Sequence, residues 1–239
     1  LAEWLRAGNS LNDSVNGNGR SYGNTPFRAA CLPDGLYYPG NGTFKNNGGE
    51  KGNFTVMQGT AQSINGVFVS MQQKLDLCDT VQLAESLGVH RAIDMPEDSG
   101  TSNAGTRHLT VVPSLAFAGT DEIAPLSMAA ANAAFANKGT YCSPVPIDSI
   151  TDAEGKEVNF TKSKCAEAIS PDVAAGVLYA LEGVVRNGTM SHAGSNYGIP
   201  HFGKSGTTDD NVDRWNIGGS STVATAVWTG NVVGKVSLA

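Results

Sequence analysis

The sequence predicts an α+β fold in which a helical cluster packs on an antiparallel sheet. Up to about residue 186, the ordered segments place apolar residues at three- and four-residue steps, which is typical of amphipathic helices. Over the last fifty residues the period changes, and residues 223–229 alternate between two faces, as in a half-buried antiparallel strand. Helices that precede a C-terminal antiparallel sheet are the usual composition of an α+β domain.

The first half of the chain combines loop-rich regions with two predicted helices. Residues 6–58 contain several Asn-Gly pairs and show little periodicity, which is typical of loops. Apolar residues at helical spacing then predict a single amphipathic helix over residues 60–76. A second helix is expected over residues 79–88, where Gly88 would form the C-terminal cap. Residues 94–114 again have loop character.

The second half predicts two further helices and the sheet. An alanine-rich segment over residues 123–137 predicts a helix that ends before Gly139. Residues 143–169 are expected to form an exposed hairpin or loop. Ser170 and Pro171 would then begin a helix that reaches about Arg186. Three strands are predicted at residues 201–208, 214–218 and 222–231.

Composition excludes several classes of function. The 239 residues carry a formal charge of -6 and an isoelectric point near 5.1, so there is no basic surface to neutralise nucleic-acid phosphates. No run reaches about 18 consecutive apolar residues, the length that a membrane-spanning helix needs. The four histidines are scattered and no cysteines form a Cys-x-x-Cys pair, so no metal site is expected.

The four cysteines form an even set that allows two disulfides in three pairings. Two disulfides would fit an extracytoplasmic protein. We favour a bridge between Cys142 and Cys165, which would close a short polar excursion between two helices. The alternative is four free buried thiols.

The chain is expected to be an incomplete domain over residues 1–239. Residues 1–5 have the character of a helix interior, without an initiator methionine or a signal sequence. Residues 234–239 form a strand-like run at the other end. We therefore expect the chain to be a fragment of a longer protein.

Two short motifs are candidates for chemistry, although each alone is weak. Ser63-Ile64-Asn65 could consist of ordinary helix-capping residues. In Lys204-Ser205-Gly206-Thr207, the lysine could protect a sheet edge and the glycine could mark a bulge. The functional interpretation is that a substrate backbone lies along the strand beside Gly206. The hydroxyls of Ser205 and Thr207 would then bind a carboxylate.

Several blocks around these motifs make the pattern more specific. They are Ala61-Gln62-Ser63-Ile64-Asn65-Gly66-Val67-Phe68-Val69, Glu122-Ile123-Ala124-Pro125-Leu126-Ser127-Met128-Ala129, Phe135-Ala136-Asn137-Lys138-Gly139, Phe202-Gly203-Lys204-Ser205-Gly206-Thr207-Thr208, Asp213-Arg214-Trp215 and Ala226-Val227-Trp228-Thr229-Gly230. Together these blocks resemble the transpeptidase domain of an actinobacterial class A penicillin-binding protein, and they follow the order of that family. The resemblance implies the fold shared by penicillin-binding proteins and serine β-lactamases.

The resemblance also implies a mechanism and partners. An activated serine would attack the penultimate D-Ala carbonyl of a peptidoglycan stem peptide, and a neighbouring stem would resolve the acyl-enzyme. β-Lactam antibiotics would acylate the same serine. No cofactor is implied, and membrane attachment would come only through an anchor upstream of this chain, on the extracytoplasmic side.

Roles carry over to the matching positions. Ser63 would relay a proton, Asn65 would hold the substrate amide, and Lys204 would order the Ser63 hydroxyl. The amide of Thr207 would form half of an oxyanion hole. The substrate-binding residues expected from the motif that begins at Lys204 are Ser205, Gly206, Thr207 and the adjoining Thr208.

One departure from the family decides what this chain alone can do. The family's nucleophile lies in a Ser-x-x-Lys motif, and no lysine of this chain has a serine three positions earlier. The closest forms have Gly42 before Lys45 and Thr161 before Lys164. We expect the nucleophile to lie upstream of Leu1, so that the chain alone is inactive. A smaller departure is Asn216, where the family usually has an aromatic residue.

Two other functions are consistent with the motifs. A non-catalytic module with the same fold would bind peptidoglycan or a partner without acylation. A serine β-lactamase would need a carboxylate that drives deacylation. That carboxylate would lie on a loop between Ser63-Ile64-Asn65 and Lys204-Ser205-Gly206-Thr207. No recognisable motif of that kind surrounds the acidic residues in this region.

Overall fold

The computed structural model describes residues 1–94, 106–117, 120–193 and 198–238. The chain begins with helix α1 (Ala2–Arg6), followed by a nested series of short antiparallel strands. These are β1 (Ser14–Asn16), β2 (Arg20–Ser21), β3 (Phe27–Arg28), β4 (Leu36–Tyr37), β5 (Thr43–Phe44) and β6 (Asn53–Thr55). The outer pair is β1 with β6, the middle pair β2 with β5, and the inner pair β3 with β4. We expected only loops here, because strands of two or three residues are too short to show periodicity.

Two helices, and not one, occupy the region around Ser63-Ile64-Asn65. Helix α2 (Val56–Gln62) starts at a capping box, in which Thr55 and Gln58 exchange side-chain-to-backbone hydrogen bonds. Helix α3 (Asn65–Gln72) follows. The predicted single helix over residues 60–76 is therefore wrong. Ser63 has a left-handed backbone with φ of 58°, which interrupts the helical hydrogen bonds between α2 and α3.

Helix α4 (Leu77–Ser86) begins two residues before the predicted start at residue 79 and ends close to the predicted position. Its N-cap is the buried carboxylate of Asp76, which accepts hydrogen bonds from the backbone of Cys78 and Ala30. Gly88 follows the helix with φ of +79°, a left-handed conformation that glycine adopts readily. The predicted loop over residues 94–114 lies partly outside the described residues. Its described part runs into a short 3₁₀ turn at Pro113–Ala116.

Helix α5 (Pro125–Ala136) confirms the predicted alanine-rich helix, and Gly139 follows it with φ of +86°. Strands β7 (Thr140–Cys142) and β8 (Cys165–Glu167) pair directly and form the base of a mostly exposed excursion. At this base Cys142 and Cys165 form a disulfide, the pairing that the sequence analysis favours. A second disulfide joins Cys31 to Cys78 and ties the nested strands to α4.

Helix α6 (Pro171–Asn187) begins at the predicted cap, where the Ser170 hydroxyl accepts a hydrogen bond from the amide of Val173. It precedes the three predicted strands. These are β9 (Phe202–Thr207), β10 (Asp213–Gly219) and β11 (Ala224–Gly230), in the antiparallel order β11-β10-β9. Helices α5 and α6 pack against this sheet, which confirms the α+β prediction.

The chain after β11 differs from the prediction. Residues 234–238 form no strand, although they have strand-like composition. The amide of Leu238 instead donates a hydrogen bond to the carbonyl of Asn211, in the turn between β9 and β10. A single backbone hydrogen bond does not form the ladder of paired bonds that defines a strand.

Helix α6 connects the two parts of the molecule that bear the motifs. Its buried face, which includes Ala174, Val177 and Val184, packs in one cluster with Phe202 of β9. Helix α2 packs against the same helix. The end of α2 and the strand β9 therefore lie close together. Within the described ranges, no helix has both the length and the hydropathy to cross a bilayer.

Candidate active site

The structure brings the two motifs into direct contact. The Lys204 ammonium donates a hydrogen bond of 2.6 Å to the hydroxyl of Ser63, which lies 141 positions earlier in the chain. It donates a second one, of 2.7 Å, to the carbonyl of Ser205. Ser63 occupies the left-handed position that ends α2, and Lys204 lies in the middle of β9. The backbone reversal at Ser63 thus places its hydroxyl opposite the strand.

The surroundings of Lys204 change the pKa of its side chain. Burial lowers the pKa of its ammonium group from 10.5 to about 8, because the charged form loses hydration. No acidic group in the described part of the chain is among the causes that act on this pKa. A lysine with a pKa this close to neutrality can exchange a proton with a neighbouring hydroxyl more readily than a solvated lysine.

Asn65 lies two residues after Ser63, at the first turn of α3, and part of its side chain is already used in a hydrogen bond within the chain. Its side-chain amide nitrogen donates a hydrogen bond of 2.8 Å to the carbonyl of Lys45. The neighbouring Gly66 amide donates to the side-chain oxygen of Asn46. Among the described residues, the side-chain oxygen of Asn65 accepts no hydrogen bond. That oxygen could accept one from a substrate amide.

Ser205 has a partner that sequence reasoning missed. The hydroxyls of Ser205 and Thr189 lie 2.8 Å apart. Thr189 follows α6, and its amide donates a hydrogen bond to the carbonyl of Ala61, two residues before Ser63. The sequence analysis interpreted Asn187-Gly188 only as a helix stop. A threonine directly after a helix-ending glycine carries no signal of its own, because its neighbours in space come from α2 and β9.

The remaining residues of the motif that begins at Lys204, together with Thr208, divide into two groups. Gly206 and Thr207 are exposed at the end of β9, where they pair with Trp215 and Arg214 of β10. Thr208 is engaged in the turn, since its hydroxyl accepts a hydrogen bond of 2.9 Å from the amide of Asp213. Thr208 therefore holds β9 to β10 in this structure.

Asp213 is a second residue whose position the sequence did not reveal. One of its carboxylate oxygens accepts a hydrogen bond of 3.0 Å from the indole nitrogen of Trp228, on the far strand β11. Its backbone pairs with Thr208. Asp213 thus links all three strands at the end of the sheet that carries Gly206 and Thr207.

The structure also locates the nearest approximations to a Ser-x-x-Lys motif. Thr161 and Lys164 lie in the exposed excursion between β7 and β8. Lys45 is exposed, and its backbone carbonyl is the acceptor for Asn65. In the described residues, no group of three or more His, Cys, Asp or Glu side chains could hold a metal ion. In the described residues, the site therefore combines the Lys204–Ser63 hydrogen bond with the adjacent hydroxyls of Ser205 and Thr189.

Comparison with known proteins identifies the family. Residues 32–234 match the penicillin binding protein transpeptidase domain. The chain belongs to this family. Penicillin-binding protein 1A of Aquifex aeolicus is 33% identical over 186 residues, which make up 78% of this chain and 23% of that protein. Penicillin-binding protein 1A of Clostridium botulinum is 30% identical over 219 residues, 90% of this chain and 23% of that protein. The relatives indicate the class A branch of the family.

Solved structures agree on the fold. PonA1 of Mycobacterium tuberculosis superposes with a TM-score of 0.76 at 20% identity, over 99% of this chain and 59% of that one. The D,D-transpeptidase domain of a peptidoglycan glycosyltransferase from Eggerthella lenta has a TM-score of 0.68 at 24% identity, over 95% of this chain and 57% of that one. The predicted penicillin-binding fold is confirmed. The chain spans 23% of the length of the two curated relatives named above.

Proposed function

We propose that this chain forms the substrate-binding walls of a D,D-transpeptidase site in a class A penicillin-binding protein. The substrate would be a peptidoglycan stem peptide that ends in D-Ala-D-Ala. The observation that carries the proposal is the 2.6 Å hydrogen bond between Lys204 and Ser63, two residues from motifs far apart in the chain. An actinobacterial source rests on the sequence blocks alone and stays a prediction.

In the proposed reaction, a serine outside these 239 residues attacks the penultimate D-Ala carbonyl. The hydroxyl proton of that serine passes through Ser63 to the leaving nitrogen as the C–N bond to the terminal D-Ala breaks, so that free D-alanine departs. The amine of a neighbouring stem then attacks the acyl-enzyme and loses a proton, and the serine regains its hydrogen. The two steps together return the site to its starting state.

The residues of this chain would stabilise charge in both steps. The amide of Thr207 would donate to the oxyanion that develops on the attacked carbonyl. Ser205 and Thr207 would bind the terminal carboxylate, and the positive charge of Lys204 would favour it further. The side-chain oxygen of Asn65 would accept a hydrogen bond from the peptide backbone.

β-Lactams, as mimics of D-Ala-D-Ala, would acylate the same serine. The proposal also places the protein outside the cytoplasm, held at the cell membrane by a part of the protein other than these residues. Two disulfides are compatible with an oxidising compartment.

The test uses an extended chain that includes the nearest upstream Ser-x-x-Lys. Incubation with penicillin G should raise its intact mass by one penicillin, since ring opening retains every atom. The matched control, in which the upstream serine is replaced by alanine, should show no increase. The 239-residue chain alone should also remain unmodified, because it lacks the nucleophile.

Two results would contradict the proposal in different ways. An extended chain that carries the serine and forms no adduct would show that the site is not a transpeptidase. A stable adduct on the 239-residue chain would show that the nucleophile lies within it.

A second function is favoured by one specific observation, the absence of Ser-x-x-Lys from these 239 residues. A module of this fold that binds peptidoglycan or a partner without acylation would need no nucleophile. A full-length sequence without an upstream Ser-x-x-Lys would decide in favour of this module.

A further inference from the structure

The segment after α6 makes an unusually close approach to the site. At Gly188 a Cβ atom would overlap the carbonyl oxygen of Ala61, so only glycine lets the backbone come this near to α2. The next residue, Thr189, donates its amide to the same carbonyl at 3.0 Å. Thr189 is therefore fixed in position by its backbone, independently of its side chain.

The same segment also contacts β9. Met190 lies close to Gly203, where a Cβ atom would be 3.1 Å from the Met190 thioether sulfur. The Thr189 hydroxyl lies 2.8 Å from that of Ser205, two residues along the strand. Thr189 thus stands between the end of α2, which carries Ser63, and the residue of β9 that is expected to bind a carboxylate.

A hydroxyl has one proton to donate and can accept from a neighbour at the same time. When Ser205 donates its proton to a carboxylate, its oxygen can still accept a hydrogen bond from another donor. The Thr189 hydroxyl is placed to be that donor. A hydroxyl that accepts a hydrogen bond becomes a better donor, because successive hydrogen bonds polarise each other.

We propose that Thr189 is a positioning residue for carboxylate recognition, and that its hydroxyl orients Ser205 toward the terminal carboxylate of the substrate. This inference rests on the proposed function, because it deepens the role of the same site. In the bound state, Thr189 donates to Ser205, and Ser205 donates to the carboxylate. Thr189 touches no reacting atom.

The test measures binding to the 239-residue chain by titration in NMR, a method that needs no acylation. The ligands are N-acetyl-L-Lys-D-Ala-D-Ala and the same peptide with a C-terminal amide. Thr189→Val should weaken binding of the acid by up to about tenfold, the effect of one lost hydrogen bond between neutral hydroxyls, and leave the amide unchanged. Thr189→Ser restores the hydroxyl and should recover most of the affinity. The exposed Thr225 of β11 offers the matched control Thr225→Val.

A double-mutant cycle with Ser205→Ala distinguishes positioning from a general structural role. If Thr189 acts through Ser205, Thr189→Val should have no further effect in the Ser205→Ala background. Should the valine variant not fold, Thr189→Ala takes its place in both measurements.

Equal losses for the acid and the amide would overturn the inference, and so would an unchanged affinity for the acid. A wild-type chain that binds the acid no better than the amide would overturn it too. The penicillin reaction of the extended chain decides separately whether the proposed transpeptidase function also fails.

Discussion

At the scale of single residues, the pair Lys204 and Ser63 shows how burial and hydrogen bonding act together. Burial makes the charged form of Lys204 less favourable and lowers its pKa to about 8. The hydroxyl of Ser63 and the carbonyl of Ser205 accept two of its N–H groups. Accepting groups favour the charged form, so the ammonium persists at neutral pH.

This pKa predicts a pH dependence of ligand binding. Lys204 carries its positive charge below about pH 8 and loses it above, so the affinity for N-acetyl-L-Lys-D-Ala-D-Ala should fall as the pH rises through about 8. Lys204→Gln should bind more weakly and without this fall. The measurement is the dissociation constant at several pH values on either side of 8. The exposed Lys235 provides the control Lys235→Gln, which should keep the wild-type profile. A flat wild-type profile would rule out this role for the Lys204 charge.

The lowered pKa of Lys204 also makes the free energy of unfolding depend on pH. Between about pH 8 and 10.5 the unfolded chain holds a proton that folded Lys204 has released. The free energy of unfolding therefore rises as the pH rises from about 8 to 10.5, because folded Lys204 no longer has to bury a charge. Above this window the Lys204 contribution stays constant.

At the scale of elements, the sequence predicted the parts that have strong local signals. Helix α6 has a serine cap and a first-turn proline, and strands β10 and β11 alternate in burial over seven residues each. The interruption at Ser63 was missed, because the apolar spacing continues through it from α2 to α3. The nested strands were missed because their pairing is set by partners distant in the chain, and the same is true of the contact between Thr189 and Ser205.

The close approach at Gly188 predicts the effect of adding one methyl group there. Gly188→Ala should lower the free energy of unfolding by about 2 kcal/mol, since its Cβ overlaps the backbone carbonyl of Ala61, which cannot move without shifting α2. Urea denaturation measures this change.

Gly183, in the same helix region, provides a matched control. A Cβ atom there would meet only the terminal methyl of Met57, which can turn aside. Alanine is also favoured over glycine in a helix by up to about 1 kcal/mol. Gly183→Ala should therefore be neutral or stabilising. Equal destabilisation by both variants would show that Ala61 does not hold the segment in place.

At the scale of the whole molecule, the two disulfides have different positions. The bridge from Cys31 to Cys78 spans 47 positions and joins the nested strands to α4, beside the buried carboxylate of Asp76. The bridge from Cys142 to Cys165 spans 23 positions and closes an excursion that is largely exposed. Only the first connects two parts of the core.

We predict that loss of the Cys31–Cys78 bridge is the more destabilising. Because the Cys31–Cys78 bridge closes the longer loop, chain entropy makes it more stabilising than the Cys142–Cys165 bridge by about 0.6 kcal/mol. Its contacts with the core increase this difference in stabilisation. The measurement compares the urea midpoints of the double variants Cys31→Ala/Cys78→Ala and Cys142→Ala/Cys165→Ala with that of the wild type. A larger loss in the second double variant would contradict this ranking.

The nested order of the short strands has a consequence for how the chain folds. Once Phe27 and Arg28 have paired with β4, only a short open segment remains to be closed when β2 pairs with β5. The pairing of β2 with β5 then shortens the segment that β1 and β6 have to close. Each step therefore has a small loop-closure entropy, although the outermost residues are far apart in the chain. The last step joins the amides of Val56 and Met57 to the carbonyls of Asp13 and Leu11. The start of α2, and with it the approach to Ser63, can thus form through contacts of low effective contact order.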